Sequence, residues 1–377
     1  MSAEPYKIGI LSSALPTRCG IAAFTAALGG ALSAPDTRVS VVRVVDHADE
    51  VSEPHEPIVG YLVNDKSSSK TIAINELNKC DVAIIQHEYG LYGGRDGGDV
   101  VTVLDGLHVP RIAILHTVLP RPTPHQLKVL NEVIARVDAV VIMTVAAENI
   151  LRQVYHVANM EVRVIAHGAT LFGDTVDESP APRPRILTWG LIGPGKGIEW
   201  VIDALMGLED LSPLPLYVVA GLTHPKVLAN CGDAYRDSLI ARAQRNGVES
   251  MTLFDGNYRS LESLGALIGS ASVVVLPYDS TDQATSGVLV DAIAAGRPVI
   301  ATAFPHAVEL LESGAGIIVE HGDARAIARA LRHVLTEPST AMAMSTAARK
   351  LAPELSWHAV AAQYQTLTRQ LRDLAHV

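Results

Sequence analysis

The sequence is poor in the features that define several large protein classes. Three cysteines among 377 residues, Cys19, Cys80 and Cys231, are too scattered for a disulfide framework or a cysteine metal site. Apolar runs fall short of the roughly 18 residues a spanning helix needs. The start MSAEPYKIGILSS lacks a basic stretch ahead of a long apolar region, so no signal peptide is expected. Basic residues are in deficit, 30 Lys+Arg against 40 Asp+Glu, which argues against nucleic acid as the main partner. No Asp-x-Asp triplet, internal repeat or low-complexity tract occurs. These absences lead us to expect a cytoplasmic protein with no stable membrane anchor, its homo-oligomerisation left open.

What is present is apolar and rich in glycine: 48% hydrophobic residues and 29 glycines suit buried parallel strands and tight turns. Lys7–Ser12, Arg38–Val45, Asp81–Gln86, Arg111–His116, Ala139–Thr144 and Val162–Ala166 read as strands separated by helix-sized segments. The alternation lapses at Leu171–Arg185, acidic and rich in proline, then resumes at Ile186–Gly190, Leu216–Gly221, Met251–Phe254, Ser272–Pro277, Pro298–Thr302 and Gly316–Val319. The expected fold is α/β, with two doubly wound Rossmann-like domains, residues 1–170 and 186–355, facing across a cleft. Residues 171–185 would be the linker, and 356–377 a terminal helix with Trp357, Val360, Tyr364, Leu367 and Leu371 at helical spacing.

The most informative segment is Tyr278–Ile300, YDSTDQATSGVLVDAIAAGRPVI. It follows an apolar strand, passes through a polar loop, and opens a helix near Ala284–Gly287 that stops at Gly296-Arg297-Pro298. A helix opening presents unpaired N–H groups and the positive end of the helix dipole, a ready anion site. Gln283 precedes the helix and Asp291 lies about two turns inside, on roughly the same face. That arrangement suits a side chain on a sugar, amides on a phosphate and a carboxylate on ribose.

This segment resembles the signature of the retaining family 4 glycosyltransferases of GT-B fold. There, a glutamate, seven residues and a second glutamate precede an Ala-x-Ala-x-Gly-x-Pro-Val run. Ala292-Ile293-Ala294-Ala295-Gly296-Arg297-Pro298-Val299 matches the second half, while Gln283 and Asp291 replace the two glutamates. Other landmarks follow in order over nearly the whole chain. The turn Pro16-Thr17-Arg18-Cys19-Gly20-Ile21 stands where the family has a glycine loop between donor phosphate and acceptor, with Cys19 in place of the first glycine. His116, ending a strand in AILHTVLP, matches the histidine that contacts the transferred sugar. His87-Glu88 matches a His-Glu pair one strand earlier, followed by the acceptor-side loop Tyr89–Asp99 with its five glycines. Taken alone, a histidine in either position is more often a structural residue than a ligand contact.

In the second half, Trp189–Gly197 (WGLIGPGKG) resembles a family segment with an arginine after the first glycine and a lysine before the last. Lys196 matches; Leu191 stands where the arginine would be, and Arg18, Arg121, Arg259 and Arg297 are candidates to replace it. The resemblance also puts Asp255–Arg259 near the nucleotide base, a turn that equally suits an exposed hairpin.

The resemblance implies a metal-independent hexosyltransferase with no cofactor, whose donor substrate is a nucleoside-diphosphate sugar, GDP-mannose ahead of UDP-glucose. His116, Lys196 and Gln283 would be catalytic. Gly20, Gly190, Lys196, Tyr258, Gln283, Ala284, Thr285, Ser286, Gly287, Val288, Leu289 and Asp291 would bind donor; Arg18, His87, Glu88, Tyr89 and Arg95 would face the acceptor. The acceptor is expected to be a saccharide or glycoside, because residues 1–170 hold 14 Lys+Arg against 18 Asp+Glu and offer no obvious anchor for anionic lipid. A non-catalytic nucleotide-sugar-binding protein and a nucleotide-sugar epimerase are the alternatives.

Overall fold

The alternating pattern folds as two sheet-and-helix units in a computed structural model that describes residues 5–157, 161–172, 183–257 and 259–375. One unit comprises Met1–Gly168 with Trp357–Val377, the other Ala169–Ser356. Within the stretch expected as a linker, residues 173–182 lie outside the described residues.

The first unit is built on seven strands: β1 (Tyr6–Ser12), β2 (Thr37–Val45), β3 (Ile58–Val63), β4 (Val82–His87), β5 (Arg111–Leu115), β6 (Ala139–Ile142) and β7 (Glu161–Val164). Their order is β3-β2-β1-β4-β5-β6-β7, with every pairing parallel. Central strands such as β4 are buried along their whole length, as expected of near-continuous Val/Ile runs covered on both faces. The strand order reverses between β1 and β4, and the carboxyl ends of strands at such a point are where α/β sheets hold ligands. Strand β3 is an addition to the expected set. Its sequence, IVGYLV, is interrupted by glycine and follows a polar stretch, which hides an edge strand from a pattern search.

The helix Trp357–Ala375 belongs to this unit. Val360, Tyr364, Leu367 and Leu371 form one buried stripe that packs with Phe24, Leu28 and Leu32 of the helix Gly20–Leu32. Each such aliphatic side chain contributes roughly 1.5–3 kcal/mol by leaving water.

The second unit has six strands: β8 (Arg185–Trp189), β9 (Leu216–Ala220), β10 (Thr252–Asp255), β11 (Val273–Leu276), β12 (Val299–Thr302) and β13 (Gly316–Val319). All six coincide with expected runs, with ends shifted by a residue or so. Their order, β10-β9-β8-β11-β12-β13, is again all parallel and reverses between β8 and β11. Ile186, Tyr217, Val273 and Ile300 of the sheet pack with Ile198, Val201 and Leu205 of the helix Ile198–Leu205. The expected helix opening near Ala284–Gly287 is realised as the helix Gly287–Ala294, with Ser286 as its N-cap. Among the described residues no helix is long and apolar enough to cross a membrane.

Candidate functional site

In the second unit, strand β8 leads into Gly190, whose φ of 121° is accessible to glycine and to few other residues. The following loop turns back, with Lys196 N–H donating to Gly193 O at 3.2 Å. It is then tied to the exit of β11, where Asp279 N–H donates to Gly195 O at 3.0 Å. Gly197 makes that approach possible: its φ is 64°, and a Cβ there would sit 1.8 Å from Pro277 O. Docked in this way, Lys196 places its ammonium 4.5 Å from the centroid of the Tyr278 ring. Burial pushes its pKa down, and among the described residues no carboxylate pairs with it.

Tyr278 is itself buried and stacked on Phe304, with ring centroids 5.3 Å apart. Burial pushes its hydroxyl up to about 12, against a hydrogen bond with Ser286. Beyond it, the Gln283 amide donates to Thr285 O at 3.1 Å, curling the loop ahead of the helix, and Ala284 is buried. Ser286 caps the helix, its Oγ accepting from Leu289 N–H at 3.3 Å, while its own N–H donates to His306 Nδ1 at 2.8 Å. Of the four amides Ser286–Leu289, the first and last are therefore engaged. Those of Gly287 and Val288, in the first turn, have no intrahelical acceptor and point out of the helix end. Asp291 lies one turn further in, half-buried, and burial alone pushes its carboxyl up to about 7.

At the exit of β10, Asp255 accepts from the Asn257 N–H at 3.0 Å and from the Arg259 guanidinium, which together hold its carboxyl below the usual range. Tyr258 lies outside the described residues.

In the first unit, His116 follows β5. Its Nε2 lies 2.7 Å from Gln86 Oε1, while the Gln86 amide nitrogen donates to Thr25 Oγ1 at 2.9 Å. With the glutamine oxygen so directed, His116 must donate through Nε2–H, which leaves its Nδ1 as an acceptor. Burial pushes its pKa down to about 3, with His167 and His87 adding to the shift. His87 ends β4 and is fully buried, with neither ring nitrogen finding a partner; burial holds its pKa near 4. It was expected to face an acceptor, but no part of its ring reaches solvent. Glu88 accepts from Thr117 and from Tyr89 N–H, and the Tyr89 hydroxyl meets that of Tyr155 at 3.2 Å. Arg95 is exposed beside Asp96. The glycine-rich loop these residues flank is fastened by His125 on Asp96 (2.7 Å), Asn64 on Gly93 N–H (2.8 Å) and Lys70 on Asp99 (3.0 Å). At the exit of β1, the Cys19 Sγ accepts from Ala22 N–H at 3.4 Å, and Arg18 is exposed. A Cβ at Gly20 would meet no atom within 4 Å, so packing does not demand that glycine.

Residues 175–351 match the model of the family described as "Glycosyl transferases group 1". That stretch belongs to the glycosyl transferases group 1 family. Glycogen synthase of Mycobacterium tuberculosis is 30% identical over 188 residues, 48% of this chain and 42% of that protein; the match thus spans less than half of the curated relative. Sucrose-phosphate synthase from Thermosynechococcus elongatus superposes with a TM-score of 0.78 at 20% identity, over 97% of this chain and 99% of that one. HepE from Anabaena, solved with UDP-glucose, gives 0.72 at 16% identity over 96% and 99%. At these identities the likeness shows the fold, which is GT-B.

Within the group 1 domain the structure gathers Gly190, Lys196, Gln283, Ser286–Leu289 and Asp291 around the carboxyl ends of β8 and β11. It removes Arg297 from the candidate second cations, because that guanidinium donates to Gly269 O (3.0 Å) and Ala271 O (3.3 Å), ahead of β11 at the opposite end of the sheet. Arg259 is held by Asp255 and Ser263. Among the residues that escaped sequence reasoning are two histidines. His306 orients Ser286 from 20 residues away, a pairing without local signal. His167 stands 5.1 Å from the Phe24 ring and 5.6 Å from Trp357, its Nδ1 on Gly168 O at 2.7 Å. His167 shares the signal that marked His87 and His116, a histidine just past a strand.

Proposed function

We propose that the protein is a retaining hexosyltransferase that uses a nucleoside-diphosphate sugar. The observation that carries this reading is the half-buried Lys196, without a carboxylate partner, in the same unit as the outward-pointing Gly287 and Val288 amides. A fixed ammonium and helix-end N–H groups suit a diphosphate, and they oppose the negative charge that develops as it leaves. In the proposed reaction the bond from the sugar's anomeric carbon to the phosphate oxygen breaks, and one from that carbon to an acceptor hydroxyl oxygen forms on the same face. The hydroxyl proton passes to the departing phosphate oxygen. Lys196 stabilises the leaving diphosphate, Gln283 and the His116 Nδ1 accept from sugar hydroxyls, and Asp291 binds ribose. A cation held by protein takes the place of a metal in this scheme. The acceptor is proposed to be a saccharide or glycoside.

The test begins with thermal stabilisation by nucleotides. The panel pairs GDP-mannose, favoured by the sequence resemblance, with UDP-glucose, the ligand in the HepE structure. A ligand at about 100 times its Kd should add roughly 2.7 kcal/mol. If no nucleoside diphosphate or nucleotide sugar moves the melting temperature, the proposal fails. Turnover comes next: acceptor-dependent consumption of the donor should fall about 10²- to 10³-fold in Lys196→Ala. Nucleotide binding with no turnover over a broad acceptor panel would make the protein a passive binder. An isomerised sugar formed from donor alone would make it an epimerase.

A further inference from the structure

Leu191 occupies the position of the arginine expected beside Gly190, so the group 1 domain has one cation fewer than its resemblance implies. The exits of its strands contain another. Arg236 lies in the helix Ala234–Arg245, which follows β9, and its guanidinium donates to Gly221 O at the carboxyl end of that strand. Its Nη1 would stand 3.8 Å from a Cβ on Gly256, at the end of β10. Among the described residues no carboxylate forms an ion pair with it, unlike Arg242 on the same helix, which pairs with Asp203. The first turn of a helix is also the end where a cation is disfavoured by the dipole, so helix electrostatics give no reason for arginine there.

Gly221 connects this arginine with the loop that carries Lys196. Its φ is 136°, and a Cβ on it would fall 1.9 Å from Gly190 O, so the exits of β9 and β8 meet as bare backbone. Because the strand order is β10-β9-β8-β11, this glycine floor has Arg236 on its β9 side and Lys196 on its β11 side. Strands β9 and β11 are two spacings apart, about 10 Å, a gap that two long basic side chains can close around one anion. A floor without side chains lets a phosphate approach the backbone, and the planar guanidinium keeps donors free beyond the one on Gly221 O.

We infer that Arg236 is a second phosphate ligand of the nucleotide, standing in for the arginine absent at Leu191. This inference rests on the nucleotide-binding reading proposed above, and the test separates the two. Isothermal titration of the full-length protein with UDP, UMP and uridine, and with GDP, GMP and guanosine, is compared for wild type, R236A and R236K. R236A should weaken the diphosphate that wild type binds by about tenfold to a hundredfold and leave the matching nucleoside unchanged. R236K, which keeps the charge without the fork, should fall between and serves also if R236A does not fold. Unchanged diphosphate affinity in both variants would overturn the inference and leave the nucleotide site standing. An equal loss for diphosphate and nucleoside would overturn it too, making Arg236 a structural or base-contacting residue. If wild type binds no diphosphate, the proposed function falls and takes this inference with it.

Discussion

The two units share a doubly wound sheet but furnish its strand exits in opposite ways. In the second unit the exits carry donors in search of an acceptor: the Lys196 ammonium, the Gly287 and Val288 amides and the Arg236 guanidinium. In the first they carry neutral imidazoles: His116 bonded to Gln86, His167 bonded to Gly168 O, and His87 bonded to nothing. Positive charge beside bare backbone suits an anion, whereas a neutral ring such as that of His116, its Nδ1 left as an acceptor, suits an uncharged hydroxyl. On the proposed function, one fold serves two kinds of recognition through what is placed at the ends of its strands.

This contrast predicts opposite pH dependences, and the histidines give the larger effect. Burial depresses His87 and His167 to about 4 and His116 to about 3, from an ordinary value of 6.5. The unfolded chain therefore binds more protons than the folded one between pH 6.5 and 4. Stability from these rings is full above pH 6.5 and is lost as pH falls through that window, by up to ~3 kcal/mol for each ring. Urea unfolding followed from pH 7.5 to 4 should show this fall. The double variant His116→Gln, His167→Gln should flatten it, and an equally steep fall in that variant would sink the argument.

Asp291 sets the opposite slope in the second unit. Its carboxyl is raised to about 7 from 3.8, so the folded chain holds the extra proton. The proton-linked contribution is present below pH 4 and is lost as pH rises through 7. Asp291→Asn should raise stability at pH 8 by about 2–4 kcal/mol and change little at pH 4. A variant equally destabilised at both pH values would mean that the carboxylate has a partner in the folded protein.

How much of this was legible in the sequence follows from what each feature depends on. Strands β8, β9, β11 and β12 were readable as largely buried runs between polar or glycine-rich turns, and β10 and β13, though partly exposed, as short stretches with adjacent large apolar residues, while β3 was lost to its central Gly60. The Gly190–Gly197 loop was recognisable because glycines and a lysine fall together in sequence. The partners of the site were not. His306 reaches Ser286 across 20 residues and Gln86 reaches His116 across 30, and only the sheet brings them together. Arg236 was unreadable for the same reason, since its relation to Gly190 runs through two adjacent strands. Burial misled most at His87, because a strand-end histidine looks the same in sequence whether its ring faces a ligand or the core.

The smallest effect tests that residue directly. Both ring nitrogens of His87 are buried and without a hydrogen-bond partner, and one of them carries a proton even in the neutral ring. Leaving such a group unsatisfied costs about 1–3 kcal/mol, and replacing it by an apolar side chain of similar shape recovers much of that cost. Phenylalanine keeps the edge contact with the Tyr89 ring, now at 5.2 Å, but is slightly larger and loses some of the gain to crowding. His87→Phe should therefore stabilise the protein by about 1 kcal/mol at pH 7, and His87→Leu, which avoids the crowding, should stabilise it or leave it unchanged. Urea midpoints of both variants decide the point. Destabilisation of more than about 1 kcal/mol in both would show that the imidazole has a partner, such as an internal water, and that the strand exits of the first unit hold more polar recognition than their neutral rings suggest.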